Sequence, residues 1–215
     1  ACVHKMYGKI CIARNRKEGA LLCEKLMSDL IILDDGFQSK NIKKDISILV
    51  FESDRMFGNK KLLPAGPLRE KIEDGLYRAD AVICIDNENR NLSLKLPNSL
   101  PVFFANKRIS FNKKPKRKIF AFCGLGNPES FFKGLENFGL IIKKKKWFPD
   151  HHHFDNSEIE KLVKIAENEK IDLVTTLKDF VKIERRYRDR IIVANLNIDF
   201  KNKDQFLKFL NNKLK

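Results

Sequence analysis

Short apolar runs that stop at an acidic or polar residue constrain this chain more than any other feature. Leu30–Leu33 stops at Asp34-Asp35, Ile46–Phe51 at Glu52 and Ala81–Ile85 at Asp86. Lys9–Ala13, Val102–Ala105, Ile119–Cys123, Leu140–Phe148, Asp172–Thr176 and Ile191–Leu196 extend the series. Between some of them lie helical spacings: Glu18–Ser28 with Leu21, Leu22 and Leu26, then Phe131, Phe132, Leu135 and Phe138, then Ser157–Asn168, and last Lys203–Leu214. Strand-like runs alternating with helices predict a parallel α/β sheet, with Lys9–Leu33 as a β-α-β unit. Ligands of such sheets gather at the carboxyl ends of the strands, so acids placed there predict a polar crevice. Asp34-Asp35-Gly36 carries two readings. It can be a pair of carboxylates kept together by a cation, or an ordinary Asp-Gly turn.

Length and composition set the bounds. The 215 residues hold one large or two small domains, with 43% apolar content for real cores. A formal charge of +15 points to anionic partners, although a lysine-rich genome accounts for such an excess equally well. No zinc-finger spacing, aromatic RNA-binding pattern or helix-turn-helix is evident, so the charge alone carries the nucleic-acid reading. The five cysteines lack metal-ligand spacing and mostly sit in apolar runs, which suits reduced, buried thiols in a cytoplasmic compartment. No apolar run approaches the ~18 residues of a membrane span.

The connection from Ser53 to Tyr77 contains Leu62-Leu63-Pro64-Ala65-Gly66-Pro67-Leu68-Arg69-Glu70. Two prolines and a glycine within four residues preclude regular structure, and the apolar content argues against disorder. The expected form is a shaped loop that delivers Arg69 and Glu70. Arg69 is suited to phosphate, while Glu70 completes a metal site or orients the arginine; an exposed ion pair opening the next helix is the plainer alternative. The basic, proline-broken run 113–118 predicts a linker between a domain at 1–112 and a smaller α/β lobe at 119–215.

In the second half, Gly124-Leu125-Gly126 between strand and helix can expose N–H groups to an anion, or simply make a tight turn. Pro149-Asp150-His151-His152-His153 sets three histidines beside an acid. Consecutive histidines cannot readily face one zinc ion, so an Asp-His pair for proton handling competes with a polar helix cap, with Ser157 as N-cap. Thr175-Thr176-Leu177-Lys178-Asp179 makes a further polar strand end. If the strand ends of both halves face one cleft, carboxylates, cations and a histidine suggest phosphoryl transfer. A basic nucleic-acid-binding module or an inactive interaction protein is the competing class.

At this point the strings Asp34-Asp35-Gly36-Phe37-Gln38, Arg55-Met56-Phe57-Gly58-Asn59 and Leu62–Glu70 carry a resemblance. Together with Arg78-Ala79-Asp80-Ala81, Phe148-Pro149-Asp150-His151-His152 and Thr175-Thr176-Leu177-Lys178-Asp179, they resemble the tetraacyldisaccharide 4'-kinase family in order and spacing. The resemblance implies a partial P-loop NTPase-like parallel core, holding the Walker B side, plus the smaller lobe. It also implies ATP and Mg²⁺ as cofactors and the lipid A disaccharide precursor as acceptor. The work would be done on an anionic membrane surface, the cytoplasmic face of the inner membrane, with no nucleic-acid partner. Carried over, Asp34, Asp35 and Glu70 are the expected metal residues, and Arg69, Gln38 and Lys178 the substrate or phosphate contacts. His151 supported by Asp150 is the expected catalytic pair.

The chain also departs from that family. The glycine-rich GGTGKT-type phosphate loop and the Gly-Asp-Glu segment after it are not in these 215 residues, and position 177 is Leu where Glu is usual. The chain starts at Ala1 rather than Met, from which we expect about a hundred residues of a usual member to be missing. The expectation is a chain not competent alone, completed by a separate fragment carrying the phosphate loop.

Overall fold

A computed structural model describes residues 8–52, 57–86 and 96–214. Arg55, Met56 and Cys2, which figured in the expectations above, lie outside them. The chain divides into two compact units. The first comprises Cys11–Lys107 with Ile198–Lys215, and the second is built on Arg108–Asn197.

In the first unit, β1 (Ile48–Glu52), β2 (Ala81–Ile85) and the start of β3 (Val102–Phe111) pair in parallel and in that order. β2 is buried along its whole length because both faces are covered. Val82 and Cys84 meet Leu76 of α2 (Ile72–Arg78) on one side. Ala81, Ile83 and Phe103 meet Phe206 and Phe209 on the other. These two phenylalanines belong to the last helix, which runs over Lys203–Lys213.

The segment before β1 differs from its expected form. The helix predicted at Glu18–Ser28 exists as α1 (Arg16–Lys25), capped by the Asn15 side chain, which accepts from the Glu18 N–H at 3.0 Å. The flanking runs Lys9–Ala13 and Leu30–Leu33 are not strands, so no β-α-β unit forms there. Ile12 is 77% exposed, Leu30 58% and Ile32 84%, against the expectation of a buried strand. The physical reason is that a parallel strand has no hydrogen bonds of its own; every one goes to a neighbour. Among the described residues no strand lies beside either run.

The second unit contains β4 (Lys118–Cys123), α3 (Pro128–Asn137), β5 (Ile141–Trp147), α4 (Asn156–Asn168) and β6 (Asp172–Thr176). Two single-turn helices, α5 (Leu177–Phe180) and α6 (Arg185–Arg188), then lead to β7 (Ile191–Phe200), and the Lys203–Lys213 helix is α7. The strands are parallel in the order β7-β6-β4-β5. Alternation along β4 explains the double cover. Phe120 and Phe122 pack on Ile159, Leu162 and Val163 of α4, while Ile119, Ala121 and Cys123 pack on Phe132 and Leu135 of α3. β5 ends the order, and its outer edge carries Lys143–Lys146. From β4 the chain steps outward to β5, then returns to β6 on the other side. That reversal is a topological switch point, where open sheets leave a crevice at the strand ends.

Candidate functional site

The expected residues fall into two clusters, one in each unit. In the first unit the loop after Asn59 closes on itself. Leu63 N–H donates to Leu68 O at 2.8 Å, and Asn59 Nδ2 donates to Ala65 O at 2.8 Å. Gly66 permits this closure, since a Cβ there would sit 2.2 Å from Asn59 Oδ1 and 2.3 Å from Lys61 O. The shaped loop read from the prolines is therefore present, and it sets Arg69 and Glu70 at the start of α2.

There the two partners separate. Glu70 Oε1 accepts from Gln38 Nε2 at 3.0 Å, and its other oxygen takes Arg78 Nη2 at 2.5 Å. Arg78 also lies over the Phe37 ring, 5.2 Å from its centroid. Arg69 instead makes one long contact, 3.5 Å to Asp35 Oδ2, with both side chains more than half exposed. Glu70 thus orients Gln38 and Arg78, not Arg69. An open cleft of about 260 Å³ is lined by Asp35, Gln38, Arg69 and Glu70 over an apolar floor of Leu49, Phe51 and Phe57.

Asp34 and Asp35 lie in a turn, as the plainer reading of the sequence allowed, and Asp35 has a φ of 51°. Apart from the long Arg69 contact to Asp35, it is the backbone carbonyls of this turn and of the residues after it that are tied down. Arg16 Nη2 donates to Asp35 O at 2.8 Å, and Lys44 Nζ donates to Phe37 O at 3.1 Å and Ser39 O at 2.5 Å. Both carboxylates are left exposed. The expected metal trio is not assembled: among the described residues no three acidic, histidine or cysteine side chains form a metal-holding group. Two adjacent carboxylates still suit Mg²⁺, which keeps several waters and takes one or two protein carboxylates when substrate phosphates complete its shell.

In the second unit the carboxyl ends of β4, β5 and β6 meet at the switch point. Lys178 Nζ donates to Asp150 Oδ1 at 2.8 Å, and His151 N–H donates to the same oxygen at 3.0 Å. The lysine bond, ahead of the nearby His151, holds the Asp150 carboxyl below the usual aspartate range. His151 Nε2 lies 3.7 Å from Asp150 Oδ2, its ring exposed and its backbone at a φ of 63°. Asp150, His151 and Lys178 thus stand together at this strand end, with Asp150 between the other two and in reach of each.

The neighbouring histidine does something else. His152 stacks on Phe148, ring centroids 4.7 Å apart, and bonds Glu158 Oε2 at 2.9 Å. Glu158 also accepts from Asp155 N–H at 3.0 Å, in the capping box that opens α4. That backbone bond, with the His152 bond second, lowers the Glu158 pKa. The N-cap is therefore Asp155 and not Ser157; Ser157 also stands three residues before a glutamate, but that one, Glu160, pairs with Lys164 instead of turning back.

Sequence reading missed the weight carried by Asp179. Its carboxylate is fully buried and accepts from Gly124 N–H at 2.8 Å, Thr176 Oγ1 at 2.9 Å and Lys182 Nζ at 3.1 Å. The Gly124 N–H is consequently occupied inside the protein rather than offered to an anion, and the glycine-turn expectation falls to the tight-turn alternative. Burial first, and then the charge of Asp179, push the nearby Cys123 thiol up to about 12. Thr-x-x-Asp at a strand-to-helix junction was the available signal, since it is a capping pattern.

Nucleotide phosphates need a cradle of free backbone N–H groups with a lysine. The 215 residues contain no Gly-x-x-x-x-Gly-Lys-Ser/Thr run, and the Gly124 turn is occupied. The phosphate-loop run that would cradle ATP is not among these 215 residues, and Asp34 and Asp35 are the carboxylates that would stand beside Mg²⁺.

Comparison with known proteins bears on both clusters. The sequence profile described as Tetraacyldisaccharide-1-P 4'-kinase matches residues 3–215. The tetraacyldisaccharide 4'-kinase of Paramagnetospirillum magneticum is 37% identical over 194 residues, which is 88% of this chain and 59% of that protein. Its counterpart in Rickettsia akari is 36% identical, over 92% of this chain and 61% of its own length. A crystal structure of LpxK from Aquifex aeolicus, an "apo" form in complex with ATP, has a similar fold. Its TM-score is 0.69 at 26% identity, covering 93% of this chain and 62% of that one. The chain spans about three fifths of the length of the curated relatives it matches. The α/β, P-loop NTPase-like fold expected from the sequence is thus found, and a match that runs through nearly every residue places the chain in the tetraacyldisaccharide-1-P 4'-kinase family.

Proposed function

We propose that this chain is the acceptor-handling part of an ATP-dependent lipid kinase. The complete enzyme transfers the γ-phosphate of ATP, with Mg²⁺, to the 4'-hydroxyl of the lipid A disaccharide 1-phosphate precursor at the cytoplasmic face of the inner membrane. The observation that carries this reading is the family match through residues 3–215. ATP would supply the phosphoryl group, held by a phosphate loop outside these residues. On this reading, Asp34 and Asp35 give carboxylates to Mg²⁺. Arg69, with one long contact to Asp35, keeps its planar fork available for a phosphate of the acceptor. Glu70 fixes Gln38 and Arg78 around the cleft. Asp150, kept ionised by Lys178, orients His151 so that its ring can hold a proton. The surplus of lysine and arginine favours an anionic membrane surface as the place of work.

The test is phosphorylation of the disaccharide precursor by this chain, alone and with a phosphate-loop segment of a family member added in trans. We expect no turnover alone and turnover on addition, lost again in Arg69→Ala. Robust turnover by the chain alone overturns the claim that it is incomplete. No turnover in either condition, with the added segment shown to bind, overturns the acceptor-handling role.

A further inference from the structure

One helical turn, α5, faces two ways, and this makes the loop around His151 depend on residues packed behind it. Outward, Lys178 reaches Asp150 at 2.8 Å. Inward, one residue later, Asp179 holds the Gly124 N–H at the end of β4 and the Thr176 hydroxyl at the end of β6. A third member extends this knot to the histidine loop. Lys182, largely buried, donates from Nζ to Asp179 Oδ1 at 3.1 Å and to His152 O at 3.3 Å. The same ammonium lies 5.8 Å from the centroid of the Phe154 ring. The packing around Gly124 leaves little slack, because a Cβ there would stand 3.2 Å from Asp179 Oδ1 and 3.3 Å from Pro149 O.

We propose that Asp179 and Lys182 are positioning residues of the second-unit site: together they fix the backbone at His152, and through it the register of the Asp150–His151 pair against Lys178. A buried carboxylate with three donors has its charge satisfied and its geometry determined. Lys182 is the strut that carries this rigidity to the loop. A loop held only by exposed ion pairs would lack it, since such pairs contribute little. The structural claim is independent of the kinase reading; only its effect on turnover rests on that reading.

Lys182→Met tests it, because the substitution keeps the Gly124–Asp179–Thr176 bonds possible while removing the strut. Three measurements on the chain as it stands decide: the thermal transition, amide exchange over His151–Phe154, and the NMR titration of the Asp150 carboxyl. We expect exchange at those amides to rise about tenfold relative to β4 and β6 amides. The Asp150 midpoint should move up towards the usual aspartate range as Lys178 loses its register. Lys182→Arg should restore both. In the reconstituted enzyme, kcat should fall with KM for the acceptor unchanged. Unaltered loop exchange and an unaltered Asp150 midpoint overturn the proposal. So does a uniform loss of protection through the whole unit, which marks a merely stabilising lysine. Should Lys182→Met fail to fold, Lys182→Gln is read by the same two local measurements. Absent turnover in the wild type counts against the kinase reading alone, since exchange and titration do not depend on it.

Discussion

The aspartates Asp179 and Asp35 both stand near the end of an apolar run, yet they are built to opposite plans. Asp179 is wholly buried and accepts from a glycine N–H, a hydroxyl and an ammonium. Asp35 has a side chain 76% exposed and one contact at 3.5 Å. In the first case the carboxylate organises the fold around it. In the second the fold fixes the carbonyl, through Arg16, and leaves the carboxylate to solvent. A buried acid this well satisfied is structural equipment, whereas an acid whose backbone alone is held keeps its charge for a ligand. Burial and partner count therefore separate the two roles where residue type cannot.

The sharpest way to break the comparison is to remove each carboxylate. Asp179→Ala leaves the partly buried Lys182 without its counter-ion and the Gly124 N–H and Thr176 hydroxyl without their acceptor, and should cost about 3–5 kcal/mol of stability in urea unfolding. Asp35→Ala should stay within ~0.5 kcal/mol in the same measurement, because an exposed pair contributes little. Equal losses would abolish the distinction. Next in size is Gly124→Ala, whose methyl must displace Asp179 or Pro149 O at 3.2–3.3 Å; we expect a loss of about 1–3 kcal/mol by the same assay.

A smaller effect concerns pH. Glu158 titrates below its ordinary value of 4.5 because Asp155 N–H and His152 bond its charged form. A depressed folded pKa gives stability that is present above 4.5 and is lost as pH falls through the lower folded value. Glu158→Gln should accordingly flatten the acid limb of the second unit's stability below about pH 4.5, followed by far-ultraviolet circular dichroism. An acid limb identical to wild type would remove Glu158 from the account. The smallest change expected is Asp35→Asn, which should leave the unfolding midpoint in place and weaken Mg²⁺-dependent turnover in the reconstituted enzyme.

The expected strands that formed are those with a paired neighbour among the described residues. β2 falls at the residues its apolar run indicated, Ala81–Ile85, because a strand covered on both faces must be apolar throughout, and β6 falls at the expected Asp172–Thr176. Leu30–Leu33 shows the same signature and is no strand, since pairing depends on residues far away that local pattern does not contain. β3 and β7 ran on to Phe111 and Phe200 through Asn106, Lys107 and Asn197, where an apolar run had ended but backbone pairing had not. The proximity of Asp150 and His151 was legible because the two adjoin in sequence. Lys182, which bonds a carbonyl 30 residues away, leaves no such local trace.

The lysines of β5 have a bearing on how this molecule behaves in bulk. A strand edge with unused N–H and C=O groups invites a second copy to add a strand. Here the outermost strand carries Lys143 to Lys146; Lys144 pairs with Glu169 and Lys145 with Glu129, so the like charge that two copies bring together edge to edge comes mainly from Lys143 and Lys146. That guard is electrostatic and acts over the Debye length, ~10 Å at 0.1 M salt and ~3 Å at 1 M. Concentrated protein should stay dispersed in dilute buffer and begin to cluster as salt is raised, the reverse of a molecule kept apart by shape alone.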